Sequence, residues 1–256
     1  MIVLAAAAHP DDIEFMMAGT LLLLGQAGCA LHLWNLADGC CGSNSLDRKS
    51  TAEVRWREAQ ASAQLAGGQA HPPLFPDLGI FYDAPSLARV AAVIRQIQPD
   101  IVLTHFPQDY MEDHQNTARL VVTGTFMRGM GNAVTDPPAK PFEKPVALYH
   151  ALPHGLEDGL RQSVEPHFYT AITKVLPLKR NMLACHLSQK QWLDETQGMD
   201  EYLDEMERIS RRVGQQSGQY RFAEGWRRHL HHGFGPKEFD PVKALLGPHS
   251  VLEKSP

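Results

Sequence analysis

Short apolar runs alternate with segments of helical period over the first two thirds of the chain. Residues 2–8 form an unbroken apolar run and predict a buried strand, residues 13–26 a helix, and residues 30–36 a second strand. Residues 38–50, rich in Gly, Ser and Asn, predict a loop. Ala and Leu recur among charges over 51–65 and predict a helix. A short strand is predicted within 74–81, among turn residues. Pro85 stands where a helix can start, and 86–98 has helical character. Residues 101–104 predict a third buried strand, 114–130 a helix, and the proline-rich stretch 136–145 a loop. Further strands are predicted at 146–150 and 167–172. Helices are predicted at 178–187 and 192–213, the latter with Tyr202, Leu203, Met206 and Ile209 as a buried stripe, and an irregular tail follows.

Such alternation implies right-handed βαβ units and a mostly parallel sheet covered by helices on both faces, an α/β fold with a more helical C-terminal part. No internal repeat and no clean boundary interrupt the 256 residues, so 1–256 reads as a single domain, with a core over 1–190 and a helical, irregular extension over 191–256.

Charge and cysteine content narrow the function. A formal net charge of -5 argues against nucleic-acid binding, and Arg227, Arg228, His229, His231 and His232 read as a solvated helix end plus loop. The apolar start lacks a cationic n-region, and residues 21–24 are too short to span a membrane. Cys29, Cys40, Cys41 and Cys185 show no paired spacing, so neither a structural zinc site nor a disulfide framework is indicated, and a cytoplasmic protein is expected. Cys40 and Cys41 read as small residues of a Gly-flanked loop, with metal binding or redox sensing as the alternative.

The chemistry gathers behind two predicted strands. His9-Pro10-Asp11-Asp12-Ile13-Glu14 follows the first, and Asp109-Tyr110-Met111-Glu112-Asp113-His114 follows the strand at 101–104. In open parallel sheets, ligands bind beyond the carboxyl ends of strands. Adjacent carboxylates buried there without partners cost several kcal/mol each. A divalent cation offsets that repulsion. His nitrogen and carboxylate oxygen are zinc ligands: His9 and Asp12 can grip one ion from a turn, and His114 can add a third ligand. Asp11 is then left beside the ion, suited to take a proton from water. The competing account is helix capping by Asp11, Asp12 and Asp113. Two equivalent clusters, each with a histidine, favour the metal.

These residues resemble the PIG-L/LmbE-like deacetylases, in which a His-Pro-Asp-Asp motif pairs with a distal Asp-His. Here the matching residues are Ala8-His9-Pro10-Asp11-Asp12-Ile13-Glu14 and Asp113-His114. Arg55-Trp56-Arg57-Glu58-Ala59 and Lys179 through His186-Leu187-Ser188-Gln189 resemble two of the family's helices, and Glu224 extends the likeness. The resemblance implies a Rossmann-like sheet and removal of an N-acyl group, in first place acetyl, from an amino sugar such as an N-acetylglucosamine conjugate or a related small molecule. It implies His9, Asp12 and His114 as ligands of Zn2+ (Fe2+ being the alternative), Asp11 as general base, and Arg55 and Asp83 as substrate contacts. Tyr110 joins them at the site, with Glu14, Asp109 and Asp113 behind the ligands. Several relatives assemble, so a homo-oligomer is compatible. One departure stands out. The family's second motif often carries a histidine where this chain has Met111, and a thioether cannot donate to an oxyanion. Losing one such donor typically costs about 2.7–4 kcal/mol. Tyr110, His105, His150 and His154 are candidate replacements. Asp11 carrying the proton both ways is a second solution. Binding of a sugar or nucleotide without catalysis, or hydrolysis of a non-sugar amide or ester, are the rival functions. The first lacks the G-x-G-x-x-G that a dinucleotide module places after its first strand.

Overall fold

β1 (Ile2–Ala7) is an interior strand of the sheet, with its side chains alternating between two cores. Val3, Ala5 and Ala7 enter one, Leu4 and Ala6 the other, and all five are fully buried. An unbroken apolar sequence is what such two-sided burial requires. The computed structural model describes residues 1–189 and 202–253. β1 pairs in parallel with β2 (Ala30–Asn35) and with β4 (Ile101–Thr104). β3 (Gln69–His71) extends the sheet beyond β2, and β5 (Ala147–Ala151) pairs in parallel beyond β4. Three antiparallel contacts complete it, involving β6 (Phe168–Ala171), β7 (Ala223–Arg228) and β8 (Val251–Glu253). Among the described residues the order is β3-β2-β1-β4-β5-β7-β6-β8. The order reverses direction between β1 and β4, so their carboxyl ends frame the crevice where open α/β sheets bind ligands.

Helices cover both faces, as the alternation predicts. α1 (Asp12–Met16), α2 (Ala18–Gln26), α6 (Leu176–Leu183) and α7 (Tyr202–Gln216) contribute to the core beneath Val3. α3 (Arg48–Leu65) adds Ala63 to the same side, whereas α4 (Ala84–Ile97) and α5 (Glu112–Phe126) pack on the opposite face. α8 (Pro241–Leu246) starts at Asp240, whose carboxylate caps its first turn. Asp47 and Asp83 cap α3 and α4 in the same way through Ser50 N and Ser86 N.

Several elements depart from expectation, each for a physical reason. The helix expected over 13–26 is two, broken at Met17 (φ −130°). The break lets the Glu224 carboxylate accept the N–H groups of Gly19 (2.8 Å) and Thr20 (2.7 Å), free donors at the start of α2. The strand expected within 74–81 falls instead at Gln69–His71, because Pro72, Pro73 and Pro76 lack ladder donors. The tail expected to be irregular holds β7, α8 and β8. β7 escapes detection because Ala-Glu-Gly-Trp-Arg-Arg has no strand period. Arg227 and Arg228 therefore end a strand rather than a helix. Arg228 pairs with Asp240 and Glu253, both at 2.6 Å. The first ten residues of the helix expected at 192–213 lie outside the described residues.

His32 stacks on His71 across β2 and β3, with Nδ1 and Nε2 2.7 Å apart, and is partly buried. Burial holds His150 at about 4 and, with His32 beside it, His71 at about 4. Both folded values lie below the unfolded one of about 6.5, so the unfolded chain binds more protons between pH 6.5 and 4. The contribution of these two rings is therefore full above pH 6.5 and falls as pH drops through that window. The slope approaches about 1.4 kcal/mol per pH unit for His150, and less for the more exposed His71. Melting temperatures measured between pH 6.5 and 5 should fall steadily. A flat profile would contradict neutral burial of these rings.

Candidate active site

The turn after β1 is built by an unusual backbone. Asp11 has φ 108° and ψ −24°, a left-handed conformation that Asp tolerates better than most residues. It turns the chain so that Asp12 folds back, its Oδ2 accepting His9 N at 2.7 Å. Neither carboxylate caps α1 through its side chain, and the N-cap of α5 is Met111 rather than Asp113. The capping account of the two motifs thus finds no hydrogen bond to support it.

Asp12 Oδ2 lies 3.5 Å from His9 Nδ1 and 3.3 Å from His114 Nε2. Each imidazole donates its other N–H to a buried carboxylate, His9 Nε2 to Asp113 Oδ2 (3.0 Å) and His114 Nδ1 to Asp109 Oδ1 (2.9 Å). Asp113 is held in turn by Leu78 N at 2.8 Å, and Asp109 accepts Met111 N at 3.3 Å. Two ring nitrogens and a carboxylate oxygen consequently converge, all within 4.8 Å of one another. Burial opposes charge on both rings. The surrounding carboxylates outweigh it, raising His9 to about 9 and His114 to about 10. Burial likewise opposes ionisation of Asp12, but His114, His105 and His9 hold it well below the ordinary carboxylate range. The cluster is built around positive charge at its centre. Its donor set, with outer carboxylates fixing each ring, is that of a divalent transition-metal site.

His105 offers a second grouping with Asp109 and His114. Its Nε2, however, accepts Ala8 N–H at 2.9 Å, and its ring stacks on His114 with centroids 4.1 Å apart. Cys40, Cys41 and Asp77 also lie close together. Asp77 uses both oxygens on Gly39 N (2.7 Å) and Cys41 N (2.9 Å), while burial pushes the Cys40 thiol up to about 12. That grouping is a hydrogen-bonded turn.

A cavity of about 490 Å³ opens over the His9–Asp12–His114 cluster. Its lining includes the polar Asp11 and Arg55, the apolar Phe15, Leu78 and Met111, and the rings of Tyr110, His154 and Tyr202. Asp11 is buried, which raises its pKa, although Arg55 Nη2 lies 3.5 Å from its Oδ2. Arg55 also donates to the Pro10 carbonyl, and the Arg55 side chain packs against Gly39 (φ 75°), where a Cβ would stand 2.5 Å from its Cδ. Glu14 lies beneath the floor, accepting the Ser62 hydroxyl and standing 3.4 Å from His186 Nε2. Glu14 and His186 do not line the cavity. The structure does not bring Asp83 to this group: it is exposed and engaged in capping α4. A larger cavity, about 540 Å³, lies near Arg228 and His231 at the amino end of β5, and holds none of the motif residues.

Sequence reasoning missed one partner of Asp11. Tyr202, read as part of a buried stripe on α7, donates its hydroxyl to Asp11 Oδ2 at 2.6 Å and is 1 % exposed. No local signal links positions 191 residues apart. Tyr202→Phe removes the donor without changing the ring. It should lower turnover about tenfold with little change in KM, in line with about 1.5 kcal/mol for a hydrogen bond to a charged group. Steady-state kinetics beside wild type decide it, and unchanged turnover would separate Tyr202 from the reaction.

Residues 4–124 match the family described as PIG-L: GlcNAc-PI de-N-acetylase. The 4-oxalmesaconate hydratase of Pseudomonas putida is 27% identical over 157 residues, 55% of this chain and 60% of that protein. The 1D-myo-inositol 2-acetamido-2-deoxy-alpha-D-glucopyranoside deacetylase of Kineococcus radiotolerans is 26% identical over 183 residues, 55% of this chain and 51% of that protein. The chain thus spans between half and three fifths of the length of these curated relatives. Among solved structures, N,N'-diacetylchitobiose deacetylase from Pyrococcus horikoshii superposes with TM-score 0.74 at 22% identity, covering 94% of this chain and 88% of that one. The 4-carboxy-2-hydroxymuconate hydratase from Pseudomonas putida does so with TM-score 0.73 at 22% identity, covering 90% and 96%. At such identities the structural likeness speaks for the fold.

Proposed function

From the membership of this chain in the PIG-L/LmbE-like family, we propose that it is a metal-dependent hydrolase that removes an N-acyl group, in first place acetyl, from an amino sugar or related small molecule. The observation that carries this reading is the convergence of His9 Nδ1, Asp12 Oδ2 and His114 Nε2, with Asp11 beside them in one cavity. His9, Asp12 and His114 would hold the ion, zinc in first place and iron(II) as the alternative. Such an ion, when bound, supplies Lewis acidity and makes a nearby water easier to deprotonate.

The chain's own residues do the rest. Asp109 and Asp113 accept the outer N–H of His114 and His9 and fix the ring orientations, so that the inner nitrogens face the centre of the cluster, where an ion would take the place of their protons. Asp11 accepts a proton from the attacking water, and burial makes it a stronger base than an ordinary carboxylate. Tyr202 and Arg55 keep its Oδ2 in place. Arg55 presents a cation to the cavity, suited to sugar hydroxyls or an anionic group on the substrate. Phe15, Leu78 and Met111 give the cavity an apolar lining suited to an acyl group.

A second reading has a specific observation behind it. Met111 stands where deacetylases of this family often carry histidine, and the identity to a hydratase (27%) is no lower than to a deacetylase (26%). The same metal cluster and base could direct water onto an unsaturated carboxylic acid. Purified protein with measured metal content, offered N-acetylglucosamine conjugates on one side and unsaturated hydroxy-acids on the other, tests both. Acetate release supports the hydrolase. Water addition without acetate release would replace it by the hydratase.

A further inference from the structure

In the second motif His114 is a candidate ligand and Met111 cannot supply a proton, so the proton that the departing amine needs must come from elsewhere. The side chains around the cavity narrow the source. His105 is committed to Ala8 N and stacked on His114. His150 is buried, with Nδ1 donating to the His105 carbonyl (2.7 Å) and Nε2 3.0 Å from His229 Nδ1. His186 lies beneath the floor beside Glu14. Neither His150 nor His186 reaches the cavity. Tyr202 is bound to Asp11, and burial pushes the Tyr110 hydroxyl further from giving up its proton.

His154 remains. It lines the cavity together with Asp11 and the three candidate ligands, and its ring nitrogens have no hydrogen-bond partner among the described residues. It reaches that place from the carboxyl end of β5, the strand next to β4. The loop is tightly made. Gly155 (φ 82°) and Leu156 (φ 65°) follow His154 in successive left-handed conformations, and Leu156 is 1 % exposed. Leu156 N bonds to Pro153 O (2.9 Å) and Val164 N to Leu156 O (3.0 Å), while Arg212 of α7 reaches Gly155 O at 3.4 Å. A positive φ at a residue other than glycine, as at Leu156, persists only where the surroundings enforce it, and such residues cluster at functional sites. The effect here is to bury Leu156 as an anchor and leave His154 facing the cavity. Aromatic contacts steady the ring without using its nitrogens: Phe15 meets it edge-on at 5.2 Å, and Tyr110 lies 6.3 Å away.

We propose that His154 is the proton donor to the leaving amine, standing in for the histidine that Met111 replaces. The inference rests on the N-acyl hydrolase reading. In the step it describes, water oxygen bonds to the acyl carbon and one water proton passes to Asp11. The C–N bond then breaks as the nitrogen takes a proton from His154. Amine and carboxylic acid leave, and the proton held by Asp11 returns to His154 through solvent. An imidazole can give and regain a proton near neutral pH, which a thioether cannot.

The test uses the metal-loaded full chain with an N-acyl substrate that wild type hydrolyses, and four proteins: wild type, His154→Ala, His154→Gln, and His154→Ala combined with Met111→His. Turnover should fall about 10²–10⁴-fold in both single variants, the range for loss of a general acid. KM, metal stoichiometry and melting temperature should stay near wild type. Added imidazole should raise the turnover of His154→Ala, and the double variant should recover at least part of the loss. Single variants within threefold of wild type would overturn the role of His154 and leave the hydrolase reading standing. Loss of turnover without imidazole rescue, accompanied by a lower melting temperature, would make His154 structural and overturn it too. A metal-loaded wild type that releases no carboxylate from any N-acyl substrate overturns the hydrolase reading itself, and with it this step.

Discussion

Asp11→Asn should keep its metal ion and lose turnover by about 10²–10⁴-fold, the usual effect of removing a general base. Three features make the variant informative. Asparagine tolerates the left-handed backbone at φ 108° about as well as aspartate does, so the turn survives. Its carbonyl oxygen can still accept the Tyr202 hydroxyl, so α7 stays docked. The candidate ligands His9, Asp12 and His114 are untouched, so metal analysis should return the wild-type stoichiometry. What changes is the capacity to hold a proton. Wild-type turnover in this variant would remove Asp11 from the reaction, whereas lost metal would show that Asp11 helps to build the ligand cluster.

The second large effect concerns stability. Lys179 is fully buried, and its Nζ lies 2.6 Å from Glu224 Oε1. Glu224 in turn accepts Gly19 N, Thr20 N and the Thr20 hydroxyl (2.6 Å), and that hydroxyl accepts Trp226 Nε1–H at 2.9 Å. The carboxylate approaches so closely that a Cβ at Gly19 would stand 2.9 Å from its Oε1. Lys179→Met keeps the volume but strands the carboxylate, and should destabilise the protein by about 3–5 kcal/mol in denaturant unfolding. Combining it with Glu224→Gln should cost less than the sum of the two single changes, because the partner left unpaired is then neutral. A loss below about 1 kcal/mol in Lys179→Met would show that the Thr20 and backbone donors suffice for Glu224.

Much of this molecule was legible in its sequence because much of it is local. The parallel half of the sheet announced itself through apolar runs buried on both sides, such as Ile2 to Ala7. The two motifs stood out because polar residues at strand ends are conspicuous against those runs. What stayed hidden depends on partners distant in the chain. Nothing near Met17 signals a helix break that serves Glu224, 205 residues beyond Gly19. β7 lacks strand periodicity because Glu224 points into a polar network while Trp226 packs in the core. Asp83 read as a site residue from the resemblance alone, and in the structure its carboxylate is engaged by Ser86 N. The choice among Tyr110, His105, His150 and His154 needed coordinates, since it turns on which side chains reach the cavity and which ring nitrogens are already engaged.

β7 also bears on how the chain acquires its shape during synthesis. It sits between β5 and β6 although both precede it by more than fifty residues. Until residue 228 has left the ribosome, β5 and β6 each present an unpaired edge that another nascent chain could pair with. Stalling or truncation anywhere before that point should therefore yield aggregates rather than a smaller folded product.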